Sequence, residues 1–162
     1  MNMEEIKNIL VPIDGSKNSF KALTKAIYLA KKCGASITAL YVLRVAYDNP
    51  SLIYVPQTQN ELKKVEKFLT TAKNQVTKNS IDFKKKILFG HEAKKIIDFA
   101  QKQKFDLIVI GARGRGLVKQ MILGSISNAV VHNSKVPVLI VKSYGYLIIV
   151  IRLIEKISLF TK

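Results

Sequence analysis

Cysteine is nearly absent: Cys33 is the only one in 162 residues, so no disulfide can form within the chain. That suits a reducing cytosol. Cys33 lies among Lys31, Lys32 and Gly34 near an expected helix end, where inert packing is its expected role. The N-terminal MNMEEIKNILVPID has neither the apolar stretch nor the cleavage pattern of a secretory leader, and a cytoplasmic location is expected. Histidine is scarce too. His91 and His132 have no partners at metal-ligand spacing, and each is expected on the surface or at a helix end. No Ser-His-Asp or Cys-His set can be assembled, and no residue stands out to position a hydrolytic water. The chain has no Gly-Lys-Ser/Thr, which excludes a Walker A loop, and no G-x-G-x-x-G dinucleotide fingerprint.

Acid is also short. Eleven Asp and Glu stand against 27 Lys and Arg, a formal charge of +16. Such a balance admits nucleic acid, an anionic membrane or an acidic ligand. Only four of the basic residues are Arg, however, and the lysines spread over every expected helix. No run of aromatics and arginines marks a nucleic-acid groove. A solvated basic surface is the expectation, with a nucleic-acid-associated protein as an alternative.

What the chain does have is 48% apolar residues in short, regularly placed runs, enough for one core-forming domain. KNILVPI (7–13) reads as a strand buried on both faces. Ser16 can cap a helix that places Phe20, Leu23, Ile27 and Ala30 on one side, with Gly34 as its stop. SITALYVL (36–43) is a second strand. Residues 44–57, with two prolines, read as a loop. Leu62, Val65, Leu69, Ala72 and Val76 keep helical spacing. The Lys-rich 81–89 suits an edge strand. A helix over 93–100, a strand over 106–110, a helix from about 124 to 133 and a strand over 136–142 complete the alternation, Pro137 favouring a strand end or edge. Strands alternating with helices predict an α/β fold with a parallel sheet, its ligand at the carboxyl ends of the strands near the topological switch point.

The stretch FDLIVIGARGRGLVKQMILGSIS (105–127) then falls where such a ligand would sit. A buried strand leads into a glycine- and arginine-rich segment and then into a helix start. Gly111 and Gly114 let a ligand approach the backbone closely. The first-turn N–H groups of residues 125–127 lack helical partners, and Ser125 and Ser127 add hydroxyls. Arg113 and Arg115 offer charge-assisted bonds, or stand as surface residues of the loop. Ala112 has only its backbone to offer. Asp14, ending the first strand, is placed either to hold a divalent cation against phosphates or to cap the following turn.

The spacing is G-x2-G-x9-G-Ser: Gly111, Gly114, then Gly124–Ser125. It resembles the ATP-binding signature of the universal stress protein family. ILVPIDGSKNSFKAL (9–23) resembles that family's first strand and helix, and GSISNAVVHNSKVPVLIVK (124–142) its last helix and strand. The resemblance implies a Rossmann-like sheet of five parallel strands ordered 3-2-1-4-5, in a nucleotide-binding domain over residues 1–142. It implies ATP, or AMP or ADP, as ligand, with Mg²⁺ or Mn²⁺ possible alongside ATP. Pro12, Ile13 and Asp14 would line the adenosine and phosphate side, and Val42 would contact adenine. Gly111, Ala112, Arg113 and Gly114 would cradle ribose and phosphate, and Gly124, Ser125, Ile126 and Ser127 would hold the phosphates. A homodimer through the last strand, a stress-response switch and an unidentified protein partner are implied as well. Binding is better supported than turnover; a slow ATPase or phosphotransferase is the alternative.

The tail, 143–162, lies beyond the family pattern. It is apolar from Leu147 to Ile151 but too interrupted by Arg152, Glu155 and Lys156 to span a membrane. It reads either as an amphipathic helix, the preferred alternative, or as a strand folding back on 136–142. It is expected to pack in a dimer interface or against the domain, and its deletion to weaken self-association.

Overall fold

The computed structural model describes residues 5–44, 56–114, 123–142 and 150–151. The elements run β1 (Asn8–Pro12), α1 (Lys17–Cys33), β2 (Ser36–Leu43), α2 (Pro56–Thr77), β3 (Phe83–Phe89), α3 (Glu92–Lys102), β4 (Leu107–Gly111), α4 (Ser125–Asn133), β5 (Val138–Val141) and β6 (Val150–Ile151). They build one sheet in the order β3-β2-β1-β4-β5-β6. The first five strands are parallel, in the expected 3-2-1-4-5 order, and β6 is antiparallel to β5.

Alternate residues of each strand face opposite sides of a pleated sheet, and here both sides are apolar. Ile9 and Val11 of β1, Ile37, Ala39 and Tyr41 of β2 and Val109 of β4 pack with Leu23 and Ala26 of α1 and with Val65 and Leu69 of α2. Leu10, Leu40, Val42, Ile108 and Ile110 face the other way, onto Ile96 and Ala100 of α3 and Val130 and Val131 of α4. This two-sided burial explains why the central strands carry no alternation in sequence. The β3 edge differs: Lys84, Lys85 and Lys86 are exposed there, and Lys85 pairs with Glu66 of α2.

Helix α1 is closed at both ends. The Ser16 hydroxyl accepts the Ser19 N–H at 3.1 Å, and Gly34 takes the left-handed conformation (φ 69°) that ends the helix. Helix α2 begins earlier than helical spacing predicts, at Pro56. A first-turn N–H has no helical partner, so proline's missing donor costs nothing there. Residues 45–55 of the expected loop lie outside the described residues.

At the end of the sheet opposite the cleft, Asp106 joins β1 to β4. Its carboxylate accepts the N–H groups of Lys7 and Asn8 at 2.9 and 2.8 Å. Asp106→Ala is expected to lower unfolding free energy by about 1 kcal/mol, read as a shifted urea midpoint.

The expected choice between helix and strand in the tail resolves in part. Residues 150–151 form a strand, not a helix, registering Val138 against Ile151 and Leu139 against Val150. A continuous apolar run has no period to separate the two readings. Residues 143–149 and 152–162 lie outside the described residues.

Candidate functional site

The chain leaves β1 toward β2 on one side and returns to β4 on the other, so a cleft opens above the carboxyl ends of these strands. Its volume is about 470 Å³. Leu40, Val42, Ile96 and Ile110 give it an apolar wall that merges with the α3/α4 core. Opposite stand the end of β1, the glycine segment after β4 and the first turn of α4. Of the twelve residues expected to form the site, eleven line this cleft: Pro12, Ile13, Asp14, Val42, Gly111, Arg113, Gly114, Gly124, Ser125, Ile126 and Ser127. Arg115 and Gly116 lie outside the described residues.

Ala112, the twelfth, is buried and closes the loop instead. Its N–H donates to the Val141 carbonyl at 2.8 Å, continuing the β4–β5 ladder. Its carbonyl accepts the Gly124 N–H at 2.7 Å and the Ser127 hydroxyl at 2.8 Å. The segment that leaves at Arg113 thus returns at Gly124 to the same peptide group. Ser127 is 3% exposed, and its hydroxyl hydrogen is directed to the Ala112 and Gly124 carbonyls, the latter at 3.0 Å. Ser127 and Ser125 both line the cleft, and Ser125 is exposed.

The three glycines serve different purposes. A Cβ on Gly111 would lie 2.8 Å from the carbonyl carbon and 2.9 Å from the oxygen of Asn18, so the first turn of α1 requires glycine at this position. A Cβ on Gly114 would lie 2.6 Å from the Asp14 carboxylate. On Gly124 it would meet only ordinary contacts, Arg113 Cα at 3.5 Å and the Ala112 oxygen at 3.6 Å, and the backbone there is extended (φ −73°, ψ 161°). Packing and backbone conformation therefore leave the glycine at 124 unexplained, and it lines the cleft.

Helix ends decide where an anion is favoured. The N-terminus of α1 is filled by the Ser16 hydroxyl, and that of α3 carries a carboxylate, Glu92, in its first turn. The N-terminus of α4 has a glycine cap with no side chain and no acid in its first turn. Gly124 to Ser127 line the cleft, and a helix end attracts negative charge by roughly 0.3–1 kcal/mol when exposed. Arg113 lines the cleft beside it.

Asp14 takes the turn-capping role. One carboxylate oxygen accepts the Ser16 N–H at 3.0 Å, the turn-capping geometry, and the other approaches Gly114 across the cleft. A single carboxylate suits a cation that takes its remaining ligands from phosphates and water. Among the described residues no group of three or more His, Cys, Asp or Glu is placed to hold a metal by itself.

Sequence reasoning missed several lining groups. Tyr41 and Glu61 share a 2.6 Å hydrogen bond, the phenol donating, that ties α2 to the rim of β2. Arg44 and Glu92 also border the cleft. Tyr41 with Val42 lies near the carboxyl end of the second strand, on the side where a ligand is expected, so its place was legible and only its bond to Glu61 was not. Glu61 and Glu92 arrive through the topology alone.

Comparison with known proteins agrees with this architecture. A sequence model of the Universal stress protein family matches residues 5–142. Universal stress protein YxiE of Bacillus subtilis (strain 168) is 38% identical over 144 residues, covering 83% of this chain and 97% of that protein. Among solved structures, universal stress protein UspA from Lactobacillus plantarum superposes with a TM-score of 0.78 at 30% identity, covering 85% of this chain and 98% of that one. Two more distant structures share the fold: a universal stress protein in complex with cAMP (TM-score 0.63, 23% identity, 83% and 95% covered) and one from Archaeoglobus fulgidus in complex with dAMP (0.65, 20%, 85% and 99%). With its fold, its glycine spacing and its relatives in agreement over residues 5–142, the chain belongs to the universal stress protein family.

Proposed function

We propose that the cleft binds an adenine nucleotide, that ATP is its ligand, and that the protein acts as a nucleotide-dependent stress-response switch through a partner protein. The observation that carries this reading is the open N-terminus of α4. Unlike α1, which the Ser16 hydroxyl caps, and α3, whose first turn carries Glu92, it has neither a side-chain cap nor an acid in its first turn, and it lines the same cleft as the apolar Leu40, Val42, Ile96 and Ile110. An anion at one end and a flat apolar group at the other is the outline of a nucleotide. The cAMP and dAMP complexes of the two distant relatives support an adenine ligand.

In this reading the base rests on Val42, Leu40 and Ile96, and the phosphates meet the N–H groups of residues 125–127, the Ser125 hydroxyl and Arg113. Pro12, Ile13 and Gly111 shape the wall between them. Asp14 holds Mg²⁺ or Mn²⁺ against the phosphates, which is the charge neutralisation that the cation supplies. The protein works in the cytoplasm as a homodimer. No helix among the described residues is long and apolar enough to cross a membrane.

Calorimetry with ATP, ADP and AMP, with and without Mg²⁺, tests this. ATP is expected to bind more tightly than AMP, and Asp14→Ala to remove the Mg²⁺-dependent part of the affinity. Heats at the dilution background for all three nucleotides would overturn the reading. A slow phosphotransfer reaction, the alternative, would register as steady phosphate release that disappears in Asp14→Ala.

A further inference from the structure

The two edges of the sheet are protected in different ways. At β3 three consecutive lysines, Lys84 to Lys86, stand exposed on the outermost strand, and charge on an edge discourages pairing with another chain. At β5 the strand residues are Val138, Leu139, Ile140 and Val141, without a charge among them. An uncharged edge strand is a template for any other strand, and such an edge has to be covered. Here it is covered by β6, which pairs antiparallel with Val138 and Leu139. The match to the family ends at residue 142, so the covering strand comes from a segment that the family domain does not include.

We infer that β6 is a cap supplied by the chain itself, competing with a second copy of the chain for the β5 edge. This rests on the homodimer reading above and reverses the direction expected for the tail: its removal strengthens self-association. Among the described residues β6 engages Val138 and Leu139, two of the four positions of β5. A partner strand aligned along the whole of β5 would have to displace it. The cap therefore sets a threshold of protein concentration for pairing and does not forbid it.

Two measurements test the cap and the competition separately. In a Cys33→Ser background, Val138→Cys with Ile151→Cys places thiols on directly opposed residues, whose Cα atoms are about 4.5–5.5 Å apart in an antiparallel pair, within disulfide reach. Mild oxidation is expected to give a disulfide within one chain, seen as a faster-migrating monomer on a non-reducing gel. A disulfide between chains, or none, overturns the cap. In the full-length chain, Val150→Pro with Ile151→Pro removes the donors β6 needs. Sedimentation across a dilution series is expected to show self-association tightened by about tenfold or more, and a chain ending at Lys142 is expected to match it. Unchanged sedimentation of both variants beside an intact intrachain disulfide overturns the competition. If the tail-free chain stays monomeric throughout, the homodimer reading is the part that failed.

Discussion

Gly124→Val is expected to abolish nucleotide binding while the domain stays folded. A Cβ at this position meets ordinary contacts at 3.5 Å and beyond, and the extended backbone suits a β-branched residue. The cost to the protein is the poorer cap, about 1 kcal/mol. The cost to the ligand is larger in the proposed reading, because a branched side chain on the Gly124 cap crowds the phosphates at the N–H groups of the first turn of α4. Those groups act together, each contributing little by itself, so displacing the phosphates from all of them is expected to lower affinity by ~100-fold or more, about 2.8 kcal/mol. Calorimetric titration with ATP, paired with a thermal melt, reads both quantities. Retained affinity would place the phosphates elsewhere, and a collapsed melting transition would mean that Gly124 serves the fold.

Gly111→Ala is expected to do the reverse. Its Cβ would press on the backbone of Asn18, at 2.8 Å from the carbonyl carbon, and backbone cannot rotate away as a side chain can. Either α1 lifts from the end of β4 or the strand bends. Overpacking of this kind costs about 1–3 kcal/mol, and at about 2–4 °C per kcal/mol for a domain of this size the melting temperature falls by roughly 2–12 °C. Nucleotide affinity, measured well below the transition, falls less than in Gly124→Val. The two glycines share one signature and are expected to separate cleanly into a folding residue and a binding residue.

That separation shows what a sequence can carry. The central strands were legible because a strand covered on both faces has to be apolar throughout, and LIVI before Gly111 or ITALYVL before Arg44 admits few other readings. The site was legible at the level of segments, since glycines before a helix start have a local meaning. The reason for each glycine was not. Gly111 answers to Asn18 on another element, and nothing near it in sequence names that partner. Ser127 looks like any first-turn serine until the loop closes and brings the Ala112 carbonyl within 2.8 Å. Tyr41 and Glu61 are separated by a segment whose course the sequence left open. Pro56 was readable as a helix start but was absorbed into a proline-containing loop. In the tail, apolar character was plain and periodicity was missing, and the preference for a helix, resting on the spacing of Arg152, Glu155 and Lys156, was wrong at residues 150–151.

The Ala112 peptide unit has a consequence for motion. Its N–H holds the last rung between β4 and β5, and its carbonyl holds the returning end of the glycine segment. Moving the start of α4 away from the sheet strips two donors, the Gly124 N–H and the Ser127 hydroxyl, from the same residue that anchors the rung. Release of the α4 start and fraying of the ladder are thus coupled steps of one local unfolding event. Whatever holds the first turn of α4 in place also slows the breathing of the strand beside it.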